Sequence, residues 1–236
     1  MTQGKNEMTQ KRNKNQTSQH KTRILIVDDH PIVREGLAKL INQEIDMTVC
    51  GQAEDAHQAV KAMKELNPDL VIVDISLKET SGMDLIKDIK AKHPRLPVLT
   101  LSMHDESLYA ERALRAGAQG YIMKQEAPEM IVAAIRAVLA GTVYISDKVT
   151  SRMVHKLVGS KGELSATGVD TLSDRELEVF LLIGRGYGTR QIAEKLFLSA
   201  KTIETYRAHI KDKLGLADAT ELLQYAIQWV SGQENK

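Results

Sequence analysis

Cysteine is nearly missing from this chain: Cys50 stands alone among 236 residues. No disulfide can form within the chain. The thiol's apolar setting, Met47-Thr-Val-Cys50, predicts a buried, reduced side chain rather than a ligand or nucleophile. Long apolar runs are also missing, and none approaches the roughly 18 residues of a membrane span. The N-terminus is polar and basic, without the apolar stretch of a secretory leader, so no membrane contact and a cytoplasmic location are expected. An excess of one charge is lacking too, since the net charge is +1. Bulk charge therefore announces no nucleic-acid partner, and any such contact needs a local patch. Clustered His and Cys of zinc-site type do not occur, the seven His being scattered. No internal repeat relates the two halves.

What the chain does have is 42% apolar and 27% charged residues, the balance of a globular protein. Residues 1–22 form a basic tail that should be disordered. From Arg23 to about Gly141, apolar runs alternate with helical patterns. The runs are Ile24–Val27, Met47–Cys50, Leu70–Asp74, Val98–Leu101 and Gly120–Met123. The helical patterns lie near 32–43, 55–66, 83–91, 105–116 and 127–140. Five strands alternating with five helices predict an α/β, doubly wound, five-stranded parallel sheet. Residues 142–171, with their glycines and scattered Ser and Thr, read as a linker containing a helix near Asp147–Leu157. Residues 172–231 read as an all-α domain of four helices, followed by a tail at 232–236.

In a doubly wound sheet, ligands bind outside the carboxyl ends of the strands. Asp28 and Asp29 lie where the first buried strand ends and a helix opened by Pro31 begins. Alone they read as solvated loop acids. The third strand, however, also ends on an acid, Asp74, and its tip neighbours the first. Three converging carboxylates require a cation or a held proton, and oxygen ligands suit Mg²⁺ (or Mn²⁺). Ser102 ends the fourth strand and Lys124 the fifth. A metal and a lysine together stabilise the oxygens of a transferring phosphoryl group, which a carboxylate can accept as nucleophile.

In the helical half, Ser173 or Asp174 is expected to cap a first helix ending near Gly184. A short second helix covers Thr189–Leu196. A third is capped by Ser199, runs from Ala200 to about Leu214 and stops at Gly215. A fourth lies near Asp218–Val230. Winding the third at 100° per residue puts Ile203, Tyr206, Ile210 and Leu214 on the core face. Glu204, Thr205, Ala208 and Asp212 fall opposite, flanked by Arg207 and Lys211 on one side and by His209 and Lys213 on the other. That suits a major-groove helix, with phosphates at the flanks and base edges in the middle. Spacing alone also fits an ordinary amphipathic helix with a solvated charged face.

The segments ILIVDDHP, LVIVDISL, VLTLSMHD and AGAQGYIMK make residues 23–141 resemble the receiver domain of two-component response regulators, a flavodoxin-like fold. LSDRELEVFLLIGRG and QIAEKLFLSAKTIETYRAHIKDKLG make residues 172–231 resemble the LuxR-type helix-turn-helix. The pair resembles the NarL/FixJ class. The resemblance implies Asp74 as phosphoacceptor and Asp28, Asp29, Asp74 and the Ser76 backbone carbonyl as metal ligands. It implies Ser102 and Lys124 as phosphoryl-binding residues and Tyr121 as a switch aromatic that fills space vacated by a loop shift. Tyr121 also has a plain reading as an aromatic at a strand edge. For the helical half it implies groove contacts by Glu204, Thr205 and Ala208, and phosphate contacts by Lys201, Thr202, Arg207 and Lys211.

The implied partners are a sensor histidine kinase, double-stranded DNA and a second copy of the chain. The last helix, with Leu222, Leu223, Ala226 and Trp229, is one candidate dimer surface, and the receiver's fourth or first helix is another. No enzymatic activity beyond the receiver's own phosphorylation and dephosphorylation is implied. The competing expectation is a phospho-dependent adaptor whose helical domain docks proteins rather than DNA. Two departures from the family pattern stand out. Gly186-Tyr-Gly-Thr189 replaces a usual Ser-Asn pair before the second helix, with Thr189 expected to cap one residue later. Glu204 also places a negative charge on the groove face.

Overall fold

The computed structural model describes residues 21–77, 80–159 and 168–234. Residues 1–20 of the expected basic tail, 160–167 of the expected linker and 235–236 of the terminal tail lie outside the described residues. The first half alternates β1 (Thr22–Val27), α1 (Pro31–Asn42), β2 (Met47–Ala53), α2 (Ala56–Leu66), β3 (Leu70–Val73), α3 (Gly82–Lys92), β4 (Val98–Ser102), α4 (Glu106–Ala116), β5 (Gly120–Met123) and α5 (Pro128–Leu139). All neighbouring strands pair in parallel, in the order β2-β1-β3-β4-β5. This is the expected doubly wound sheet.

The alternation of side chains along each strand builds the two apolar layers. Leu25, Val27, Val71 and Val73 point toward α2, α3 and α4, where Met63, Met83, Ile86 and Ala113 are buried. Ile24, Ile26, Leu70 and Ile72 point the other way, toward Leu37 and Ile41 of α1 and Ile131 and Ile135 of α5. Each fully buried Leu or Ile contributes about 1.5–3 kcal/mol of transfer free energy. Local chemistry sets the helix starts. Asp55, Ser81 and Asp105 accept from the backbone amides of Gln58, Met83 and Ser107, capping α2, α3 and α4. Pro31 and Pro128 open α1 and α5. Cys50 is half-buried rather than buried, because most of β2 is only partly covered at the sheet edge.

Beyond α5 the chain stays on the receiver. Tyr144 pairs alongside β5, its carbonyl accepting from Tyr121 N at 2.8 Å. The helix α6 (Asp147–Gly159) then follows. Ser146 Oγ donates to Glu106 at 2.7 Å, Arg152 donates to the Ser107 carbonyl, and Val149 is buried. A 3-10 turn at Gly168–Thr171 leads to α7 (Asp174–Gly184), α8 (Thr189–Lys195), α9 (Ala200–Leu214) and α10 (Ala219–Glu234).

Ser173 caps α7 in a full capping box with Glu176. Phe180 is wholly buried and packs against the rings of Tyr225 (6.0 Å) and Trp229 (5.8 Å) of α10. A Cβ on Gly184 would lie 2.5 Å from the Ala226 carbonyl oxygen, so glycine permits the close approach of α7 and α10. Leu222 and Ala226 are fully buried in this core, and Trp229 is partly buried against it. The outward apolar residues of α10 are Leu223 and Ile227. Among the described residues no helix is long and apolar enough to cross a membrane.

Candidate functional site

Pairing of β1 with β3 sets Val27 beside Val73, so the next residues, Asp28 and Asp74, emerge side by side at the strand tips. Both are 2% exposed. Lys124, just past β5, reaches across the sheet end. Its Nζ lies 2.6 Å from Asp28 Oδ2 and 2.7 Å from Asp74 Oδ2. Asp29 lies beside them: one ligand atom from each of Asp28, Asp29, His30 and Asp74 falls within 4.8 Å of all the others.

Burial pushes the Asp74 carboxyl up to about 6; Lys124 opposes that rise and Asp28 adds to it. Burial disfavours the Lys124 charge, but Asp74 and Asp28 outweigh it and raise the ammonium's pKa. The crevice thus carries more negative charge than one lysine balances. The Asp29 Oδ1 atom is buried without a hydrogen bond, although His30 Nδ1 sits 2.6 Å away. Three carboxylates gathered at one crevice offer the oxygen ligands that fit a hard divalent cation.

Ser102 is fully buried, and its Oγ accepts from His104 N at 3.1 Å. Ser76, two residues beyond Asp74, lines the same rim: its amide lies 3.3 Å from Asp74 Oδ1, and its Oγ is 2.6 Å from His104 Nε2. Burial lowers the His104 imidazole to about 4, with Arg185 and Lys124 adding to the effect, so the ring is neutral near pH 7. It stacks on Tyr109 at 4.5 Å. Tyr121, 2% exposed, donates its hydroxyl to the His104 carbonyl at 2.8 Å. The expected aromatic is therefore already inside, because this carbonyl and the surrounding core hold it there.

Reading the histidines as scattered overlooked His30 and His104. The first was open to notice, being adjacent to Asp28 and Asp29 in sequence. The second becomes a site residue only because the chain brings it 28 positions back to Ser76.

In the helical half, Lys201, Glu204, Thr205 and Ala208 are exposed along α9, and Thr202, Arg207 and Lys211 are partly exposed. Ile203 and Ile210 are buried beneath them. The Thr202 hydroxyl joins Ser199 Oγ (2.8 Å) at the helix start, and Thr205 Oγ1 donates to the Lys201 carbonyl (3.1 Å). The expected Thr189 cap does not form: Gly188 is the N-cap residue of α8, with its amide donating to Gln191 Oε1 (2.9 Å). The Thr189 hydroxyl donates instead to Glu204 Oε1 at 2.7 Å. The two domains touch through Arg112 of α4, which donates to the Leu172 carbonyl (2.7 Å), the Val169 carbonyl (3.3 Å) and Asp174 (3.2 Å).

Residues 24–136 match the response regulator receiver domain family, and residues 170–226 match the bacterial regulatory proteins of the luxR family. The chain is 39% identical over 210 residues to the oxygen regulatory protein NreC of Staphylococcus aureus (strain JH9), covering 87% of this chain and 97% of NreC. The chain belongs to the NarL/FixJ class of two-component response regulators. Solved structures agree with this assignment. A LuxR-family response regulator from Aurantimonas sp. SI85-9A1 is 36% identical with a TM-score of 0.55, over 58% of this chain and 99% of that one. RcsB of Salmonella enterica serovar Typhimurium, bound to promoter rprA with phosphomimetic BeF3-, is 30% identical with a TM-score of 0.58, over 88% of this chain and 98% of that one. This response regulator therefore carries a receiver and a LuxR-type DNA-binding domain. That favours DNA over the docking of proteins as the role of its helical half.

Proposed function

We propose that Asp74 accepts a phosphoryl group from a sensor histidine kinase and that this controls dimerisation and DNA binding in the cytoplasm. The observation that carries the reading is the buried bridge from Lys124 to both Asp28 and Asp74. Asp28, Asp29, Asp74 and the Ser76 carbonyl would hold Mg²⁺ (or Mn²⁺), which neutralises charge on the phosphoryl oxygens.

A carboxylate oxygen of Asp74 attacks phosphorus while the P–N bond of the kinase phosphohistidine breaks. Lys124 then pairs with a phosphoryl oxygen. Ser102 Oγ, which accepts from His104 N, offers its proton to another. The new charge at Asp74 thereby pulls on the β4–α4 loop and so on His104, whose carbonyl holds Tyr121. The segment 23–141 serves as the receiver and 172–231 as the DNA-binding unit, with 142–171 between them. Lys201, Thr202, Arg207 and Lys211 contact phosphates, while Glu204, Thr205 and Ala208 face the groove. Outward Leu223 and Ile227 offer a surface to a second copy.

The test treats the full chain with acetyl phosphate and Mg²⁺ and follows mass, oligomeric state and duplex binding together. One phosphoryl mass should appear, and neither Asp74→Asn nor EDTA-treated protein should gain it. Substituting Lys201 and Arg207 should weaken binding to any duplex and flatten its salt dependence. A phosphorylated Asp74→Asn protein would overturn the assignment of the acceptor.

A further inference from the structure

The two departures of the helical domain from its family pattern meet in space. Thr189, whose hydroxyl does not cap α8, donates to Glu204 across the α8–α9 pair at 2.7 Å, while Gln191 Oε1 accepts from the Gly188 amide. Glu204 is exposed on the face opposite the buried Ile203 and Ile210. Lys201 and Arg207 lie three residues to either side, a spacing that allows ion pairs on a helix. Among the described residues neither pairs with Glu204. Its carboxylate is turned toward Thr189, which leaves both cations available for phosphates.

We propose that Glu204 reads a cytosine in the major groove and that Thr189 is its positioning residue. This rests on the DNA-binding reading given above. A carboxylate offers acceptor sites on both oxygens, and the Thr189 hydroxyl occupies Oε1 while Oε2 stays open. The major-groove edge of cytosine presents the N4 amino donor, whereas guanine presents only the acceptors N7 and O6 and thymine presents O4 and a methyl group. Adenine has an amino donor, but the acceptor N7 beside it repels a carboxylate. A cytosine is therefore the base whose edge meets Oε2 without repulsion. The hydroxyl matters because a free glutamate side chain would rotate away from the phosphates' negative field. A donor fixed on α8 holds it in the groove and delocalises part of its charge.

The experiment selects binding sites from a random duplex library with full-length protein treated with acetyl phosphate and Mg²⁺. The wild type should select a C·G pair at one position of each half-site, preferred on the order of tenfold over other pairs. Glu204→Gln should move that position toward A·T, since glutamine meets adenine N6 and N7. Glu204→Ala should erase the preference there alone. Thr189→Val, which keeps the shape and loses the hydroxyl, should flatten the same position and leave the rest of the motif, while Thr189→Ser restores it. An unchanged motif in Glu204→Gln and Glu204→Ala overturns the base-reading role. An unchanged motif in Thr189→Val overturns the positioning role. If the wild type selects no motif, the DNA-binding reading itself fails and takes this inference with it, a result distinct from a motif that ignores Glu204.

Discussion

The Arg112 guanidinium and the Asp174 carboxylate form an ion pair at 3.2 Å, 62 residues apart, and join α4 of the receiver to the first turn of α7. Lys87 of α3 meets the same carboxylate at 3.1 Å. Arg112 is largely buried and also serves two carbonyls of the segment entering α7. Charged hydrogen bonds of this kind are worth about 1.5–3 kcal/mol. Arg112→Ala should therefore uncouple the halves. Scanning calorimetry should show the receiver and helical transitions separating, and a single unshifted transition would count against a coupling role.

Two buried titrations oppose each other in the metal-free protein. Asp74 is raised to about 6 from an ordinary carboxyl near 3.8, so the stability it contributes is full below pH 4 and is lost as pH rises through 6. His104 is lowered to about 4 from 6.5, so its contribution is full above 6.5 and is lost as pH falls through 4. Each shift corresponds to roughly 3 kcal/mol. In EDTA the wild type should change little between pH 4 and 6.5 from these two groups. Asp74→Asn should lose stability on acidification across that window, and His104→Gln should gain it. Denaturant midpoints at pH 4.5 and 7 measure both, and slopes of the opposite sign would refute the assignment.

Gly82 opens α3 directly beneath the crevice. A Cβ there would stand 1.9 Å from the Asp74 carbonyl oxygen, a backbone atom that cannot turn aside. Gly82→Ala should displace the β3–α3 connection, lower stability by about 1–3 kcal/mol and cut acetyl-phosphate labelling severalfold. Labelling at the wild-type rate would show that the connection yields without disturbing Asp74.

The capping box at Ser173 and Glu176 holds the start of α7 next to Arg112's partner Asp174. In the uncoupled Arg112→Ala background, Ser173→Ala should cost about 1 kcal/mol, read as a lower melting temperature of the helical half with receiver labelling unchanged. An equal loss from both halves would mean that the domains unfold as one unit.

Local signals carried most of the fold. Period-two and period-3.6 apolar patterns, the prolines at helix starts and the Asp and Ser caps mark nearly every element within a residue or two of where it lies. The strand-tip residues Asp28, Asp74, Ser102 and Lys124 were legible for the same reason: strand order converts a position at a strand end into a place in the crevice. The helix α10 extends four residues beyond its expected end at Val230, through Gly232, a residue that commonly stops a helix; Val230, buried in the helical core, anchors its last turns.

Chain chemistry by itself therefore determined which elements form and which side chains stand at their ends. Only tertiary structure decided which of those side chains meet. His104 finds Ser76, Thr189 finds Glu204 and Arg112 finds Asp174 across 28, 15 and 62 residues. Periodicity describes neighbours a few positions apart; a hydrogen bond between distant segments is set by how whole helices and strands pack, which no local pattern encodes.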